Sequence, residues 1–239
     1  MSLRVYRADR MDLSEGISRD PNDGCGVMTV LTVGHSTRSI EAFLDLLRAQ
    51  GVKRVIDVRT IPRSRHNPQF SRETLSQTLR QAGIGYTHLP ELGGLRHAQR
   101  DSPNMGWRNT SFRGYADYMQ TPEFEVGLDT LMTAGERESI VIMCAEAVPW
   151  RCHRSLIADA LSIRGIRVKH ILSATRTQPH ALTPFAQVHG MRITYPIDQL
   201  SLDVSSPGVP AVSVTASPRR TPARKGTRTR QEGPKLGRP

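Results

Sequence analysis

One alternation constrains this chain more than any other feature. From residue 28 onward, short apolar runs rich in β-branched residues take turns with stretches whose apolar residues recur every three or four positions. Short apolar runs suit strands buried on both faces, and the longer spacing suits helices with one buried stripe. The strand-like runs are 28–34 (MTVLTVG), 52–58 (VKRVIDV), 84–89 (IGYTHL), 139–145 (SIVIMCA) and 166–172 (IRVKHIL). Ser39 is placed to cap a helix with Ile40, Phe43, Leu44 and Leu47 on one face, and Gly51 to end it. Ser71 opens a second helix carrying Leu75, Leu79 and Ala82, ended by Gly83. Further helical patterns cover 112–119, 123–134 and 153–164, and Gly165 closes the last. A short helix is expected at 184–189 and a short strand at 192–195. This order predicts an α/β domain over residues 28–200, with three layers and a mostly parallel sheet. The stretch from Pro90 to Ser111 has three glycines, two prolines and no period, and loops this long inside a domain are usually functional.

The flanks read differently. Residues 1–27 hold 4 basic and 5 acidic side chains and no strand-like run, so a disordered leader is expected, with Met28 as the expected start of the domain. Residues 201–239 are rich in Pro, Gly, Ser and Thr, with 8 basic against 2 acidic side chains from 203 on. That composition buries too little to offset chain ordering, so a disordered basic tail is expected. The whole chain of 239 residues carries a formal charge of +11. A cationic surface favours polyanions, but 29 of its 33 basic residues are Arg, a bias that a G·C-rich genome alone would produce. No apolar run approaches the roughly 18 residues of a membrane helix, and no export signal opens the chain. Three cysteines, Cys25, Cys144 and Cys152, are too few and too odd for a disulfide framework, so a cytoplasmic location is expected. The sequence sets no oligomeric state.

Ligands of open parallel sheets sit beyond the carboxyl ends of the strands. Four of the predicted strands end in polar or reactive groups. His35, Ser36, Thr37 and Arg38 follow the first, and Asp57 and Arg59 end the second. His88, Glu91 and the run Gly93-Gly94-Leu95-Arg96 follow the third. Cys144, Ala145 and Glu146 end the fourth, ahead of Trp150-Arg151-Cys152-His153-Arg154. Core packing alone does not require this. Cys144, near Arg151, Arg154 and a helix start, is a candidate nucleophile, although an isolated strand cysteine is more commonly a small core residue. Glu146, His35 and Asp57 are candidate acid/base groups, while Ser36, Arg59, Ser64, Arg96, Arg151 and Arg154 are candidates for holding an anion. Asp57 beside Arg59 also fits a buried structural pair. Tyr86, Trp107, Tyr115, Tyr118 and Trp150 offer aromatic faces for a base, or ordinary packing. A zinc site of Cys144, Glu146, Cys152 and His153 competes; adjacent Cys and His rarely aim at one ion, and no C-x-x-C pair is present. A phosphatase-type C-x5-R loop is absent, since Trp150 stands where the Arg would be. The C-x-E of zinc deaminases lacks its P-C-x-x-C partner. No dinucleotide fingerprint is found.

GHSTRSIEAFLDLL, VIDVRTIPRSRHNPQFS, YTHLPELGGLR, FRGYADYM, VIMCAEAVPWRCHRSLIADAL and VKHIL together resemble the domain-of-unknown-function family 488, from about Val30 to Leu172. The resemblance implies a single Rossmann-like α/β domain of bacteria and archaea, and supplies no reaction. The functional expectation is a hydrolase or transferase whose cleft binds an anionic, phosphate- or nucleotide-containing substrate, with no cofactor evident. A nucleic-acid-binding module without catalysis and a metal-binding domain are the alternatives.

Overall fold

The computed structural model describes residues 27–197. The expectations for the leader and for the basic tail lie outside them. Five parallel strands, β1 (Thr29–Gly34), β2 (Arg54–Asp57), β3 (Gly85–His88), β4 (Ile140–Cys144) and β5 (Arg167–Ile171), form the sheet, and β6 (Thr177–Pro179) joins its edge antiparallel to β5. The strand order is β3-β2-β4-β1-β5-β6. The helices are α1 (Ile40–Ala49), α2 (Arg72–Gln81), α3 (Thr110–Tyr118), α4 (Pro122–Arg137) and α5 (Arg154–Ser162). Ser39 caps α1 by accepting the Ala42 N–H, and Asn109 caps α3 from its side-chain oxygen.

The period of two along each strand divides the core in two. Val30, Ile56, Val58, Ile140, Ile142 and Val168 face α3, α4 and α5. Leu31, Val33, Val55, Val141, Met143 and Ile171 face α1 and α2. Three layers follow from that alternation. It also explains why β1 and β4 are largely apolar along their length rather than at every second residue. β1 and β4 are neighbours, in register from Leu31 opposite Val141 to Gly34 opposite Cys144. The chain leaves β1 toward α1 on one face and leaves β4 toward α5 on the other. Their carboxyl ends therefore form a topological switch point, where a crevice opens.

Two details depart from the sequence reading. Residues 187–189 are a strand, β7 (Gln187–His189), hairpinned to β8 (Arg192–Thr194), where a helix at 184–189 was expected. Gly190, at φ 62, supplies the left-handed residue that this tight turn needs. β6 was not anticipated: three residues that include a proline carry too little pattern.

The long segment after β3 is ordered by buried polar groups rather than by repeats. The Asp117 carboxylate on α3 accepts the Gln99 N–H, the Ser102 hydroxyl and the Asn104 amide. Asn104 then accepts the Tyr195 N–H through its side-chain oxygen. A second buried network fixes the C-terminal strands. Asp159 on α5 accepts from His180, Thr183 and Tyr195, and His180 continues to His170 and Thr32.

Candidate functional site

A cavity of about 640 Å³ opens at the switch point. His35, Ser36 and Thr37 after β1, Arg59, Arg63 and Ser64 after β2, Cys144 to Glu146 at the end of β4 and Arg151 to His153 before α5 contribute to its wall. Gly94 and Leu95, from the segment after β3, close it together with Ser111 and Phe112. Four strand ends thus meet at one place. Of the sequence-predicted residues, His35, Ser36, Arg59, Ser64, Cys144, Glu146 and Arg151 line the cavity. Asp57, Arg96 and Arg154 do not.

Asp57 is fully buried and saturated. One carboxylate oxygen accepts the Arg59 N–H and Nε–H; the other accepts Arg59 Nη2 at 2.6 Å and the Tyr86 hydroxyl at 2.8 Å. A carboxylate has about four acceptor positions, and all are filled. Its geometry is that of a clamp on Arg59, with no lone pair left for a substrate proton. Burial first, and then the adjacent Asp57 carboxylate, push the Tyr86 hydroxyl well above its usual range. Arg59 also donates to His35 Nε2 at 3.3 Å, while His35 Nδ1 donates to the Ser36 carbonyl, which can only accept. The His35 tautomer is therefore set, its ring is stacked on Phe70 at 4.2 Å, and both nitrogens are engaged. Burial first, then the Arg59 and Arg154 charges, lowers its pKa from 6.5 to about 4. His35 is a neutral prop for Arg59 rather than a free base.

Arg96 lies over the Tyr118 ring, 3.5 Å from its centre, and donates to the carbonyls of Pro90, Glu91 and Gly93. It pins the segment that brings Gly94 to the cavity. Tyr115 is buried, Trp107 packs on Phe112, Phe185 and Tyr195, and only Trp150 among the expected aromatic faces stands well exposed, at 62 %. The Ser64 hydroxyl accepts the Asn67 N–H, shaping the loop after β2. Glu146 is exposed at the mouth, and one of its carboxylate oxygens accepts the Val148 N–H at 3.0 Å.

The chemistry gathers around sulfur. Cys144 Sγ, Cys152 Sγ and a ring nitrogen of His153 all lie within 4.8 Å of one another. Cys152 follows the 3-10 turn Pro149–Arg151 and is 4 % exposed. Its sulfur accepts from Arg154 Nε at 3.4 Å and lies 3.7 Å from His153 Nδ1. His153 Nε2 donates to the Val58 carbonyl, so a proton exchanged with sulfur sits on Nδ1. Arg154 is 1 % exposed, and its other acceptor is the Glu146 carbonyl. Among the described residues no carboxylate pairs with it. A buried guanidinium needs a compensating anion, and a Cys152 thiolate is the one within reach. Accordingly the Cys144 hydrogen bond, His153 and Arg154 hold the Cys152 thiol well below its usual range. Donation to Cys152, with burial, pushes the Cys144 thiol up. Of the two sulfurs, that of Cys152 is the one beside Arg154 Nε and the His153 ring; the sequence reading considers Cys152 only as a metal ligand.

The same three groups offer a soft donor set for zinc. A dication there would face the Arg154 charge directly, with Arg59 and Arg151 on the same cavity, so the surroundings suit an anion better than a metal.

Two glycines are required by this packing. A Cβ on Gly94 would stand 2.5 Å from His153 Nδ1, and one on Gly34 would stand 1.9 Å from the Glu146 carbonyl oxygen. Thr60, Ile61 and Asn67 also lie on the cavity wall. Their only signal in the sequence is that they belong to the loop after β2.

Residues 39–161 match the family described as Domain of unknown function DUF488. The match takes in Asp57, Arg59 and the Cys144–Arg154 stretch, and begins just after His35 and Ser36. No curated protein and no solved structure matches the chain. With more than half its length matched and the sulfur cluster inside the matched region, the chain belongs to the DUF488 family.

Proposed function

We propose that this protein is a thiol-dependent hydrolase or transferase acting on an anionic, phosphate- or nucleotide-containing substrate. The carrying observation is the Cys152 sulfur, set between Arg154 and His153 on the wall of a cavity that also receives Arg59 and Arg151. A thiolate beside cations in a partly open cleft is an activated nucleophile. Arg59, rigidly held by Asp57, and the exposed Arg63 and Arg151 supply charge for the substrate's anionic group. The thiolate attacks the electrophilic phosphorus or carbonyl carbon, a bond to sulfur forms, and the leaving group takes a proton from His153 Nδ1. Water, or an acceptor in a transferase, then displaces sulfur, with Glu146 at the mouth placed to take its proton.

Anionic esters and anhydrides offered to the wild type and to Cys152→Ser test this. Turnover by the wild type that the variant loses, with inorganic phosphate slowing alkylation of Cys152, supports the reading. A Cys152→Ser protein that retains full turnover contradicts it. Elemental analysis separates the metal alternative: the proposal expects far less than one zinc per chain.

A further inference from the structure

Cys144 forms no bond to the substrate in that attack, yet it faces the same cavity and its sulfur lies within 4.8 Å of Cys152 Sγ. We propose that Cys144 is the resolving partner of Cys152, and that the two close a reversible disulfide at the floor of the cleft when a hydroperoxide enters it. The inference rests on the thiolate reading of Cys152. Cys144 ends a central strand and is held by the β1–β4 ladder, whereas Cys152 sits at the end of the turn segment 145–151. That segment carries the exposed residues Ala145, Glu146, Trp150 and Arg151 and has no regular element beyond one short 3-10 turn. The strand fixes one sulfur, and the turn supplies the shift that brings the other to bonding distance.

Thiolates backed by a cation, open to small molecules and next to a second thiol, have the arrangement of redox-responsive pairs. The Cys152 thiolate attacks one peroxide oxygen; the S–O bond forms, the O–O bond breaks, and the departing alkoxide takes a proton from His153 Nδ1. Cys152 is oxidised to the sulfenic acid and the hydroperoxide is reduced to the alcohol. Cys144 then attacks the sulfenic sulfur; the S–S bond forms, the S–O bond breaks, and hydroxide leaves with the Cys144 proton as water. The dithiol has lost two electrons and two protons, and the nucleophile is masked until a thiol reductant reopens it.

Full-length protein, reduced and freed of reductant, is treated with one equivalent of hydrogen peroxide and mapped without reduction by mass spectrometry. The expected product is a Cys144–Cys152 linked peptide with two hydrogens lost, reversed by dithiothreitol and unchanged in Cys25→Ser. In Cys144→Ser and Cys144→Ala the reaction should stop at a Cys152 sulfenic acid that dimedone captures. Wild type that gives a dimedone adduct, a sulfinic acid, a link to Cys25 or no product overturns the proposal. Alkylation of Cys152 by iodoacetamide at pH 7 in the reduced wild type, resolved by peptide mapping, separates the two readings. Fast alkylation without the linked peptide removes only the resolving role; slow alkylation removes the thiolate reading beneath it.

Discussion

At the scale of single residues, the cleft is governed by which buried charges have partners. Arg59 and Arg154 are both nearly inaccessible, but Arg59 is paired with Asp57, whereas Arg154 donates to the Cys152 sulfur and the Glu146 carbonyl. Asp57→Asn leaves the first guanidinium uncompensated, and we expect a loss of about 3–5 kcal/mol in denaturant unfolding, the usual result of removing one partner of a buried pair. A merely exposed pair would cost under about 1 kcal/mol, which would contradict the burial argument. His35 and His170 set the acid limit. Burial is the largest cause in each, and each is lowered from 6.5 to about 4. The unfolded chain therefore takes up protons before the folded one as pH falls. Stability should be full above pH 6.5 and decline steadily down to about pH 4. Urea midpoints across this range should show that slope, and His35→Gln should make it shallower; a flat wild-type profile would contradict both assignments.

At the scale of elements, the strands announced themselves and the connections did not. β1 and β4 are largely apolar runs because both their faces are buried, which is a composition that sequence displays directly. The convergence of the strand ends followed from topology, so His35, Arg59 and Cys144 were legible as residues of one crevice. Roles were harder to read. Asp57 looked like an acid/base group because sequence does not show that Arg59 and Tyr86 fill its lone pairs. Cys152 looked like a competing ligand because sequence does not show that its sulfur lies beside Cys144 Sγ, on another element, and accepts from Arg154 Nε. The segment after β3 contributes least pattern and a sharp constraint: it brings Gly94 against the His153 ring. Gly94→Ala should displace that ring and slow Cys152 alkylation at pH 7 by between about tenfold and a hundredfold, with far-UV circular dichroism unchanged. An unaltered rate would show that His153 does not assist the thiol.

At the scale of the whole molecule, no helix among the described residues is long and apolar enough to cross a membrane. The proposed chemistry belongs to residues 27–197, whereas residues 203–239 carry 8 of the chain's 33 basic side chains. Removing 203–239 should leave Cys152 alkylation unchanged. It should also make any affinity for nucleic acid less sensitive to salt, since fewer counterions are released. Equal salt slopes for the two forms would place that affinity on the domain itself. The pH dependence of alkylation, resolved by peptide mapping into Cys144 and Cys152, bears on the central claim most directly. Cys152 should react at a constant rate from mildly acidic pH through neutrality, be protected by phosphate, and outpace Cys144, which should react only as the solution becomes alkaline. A Cys152 rate that rises through pH 8–9 like that of an ordinary thiol, or a faster Cys144, would contradict it.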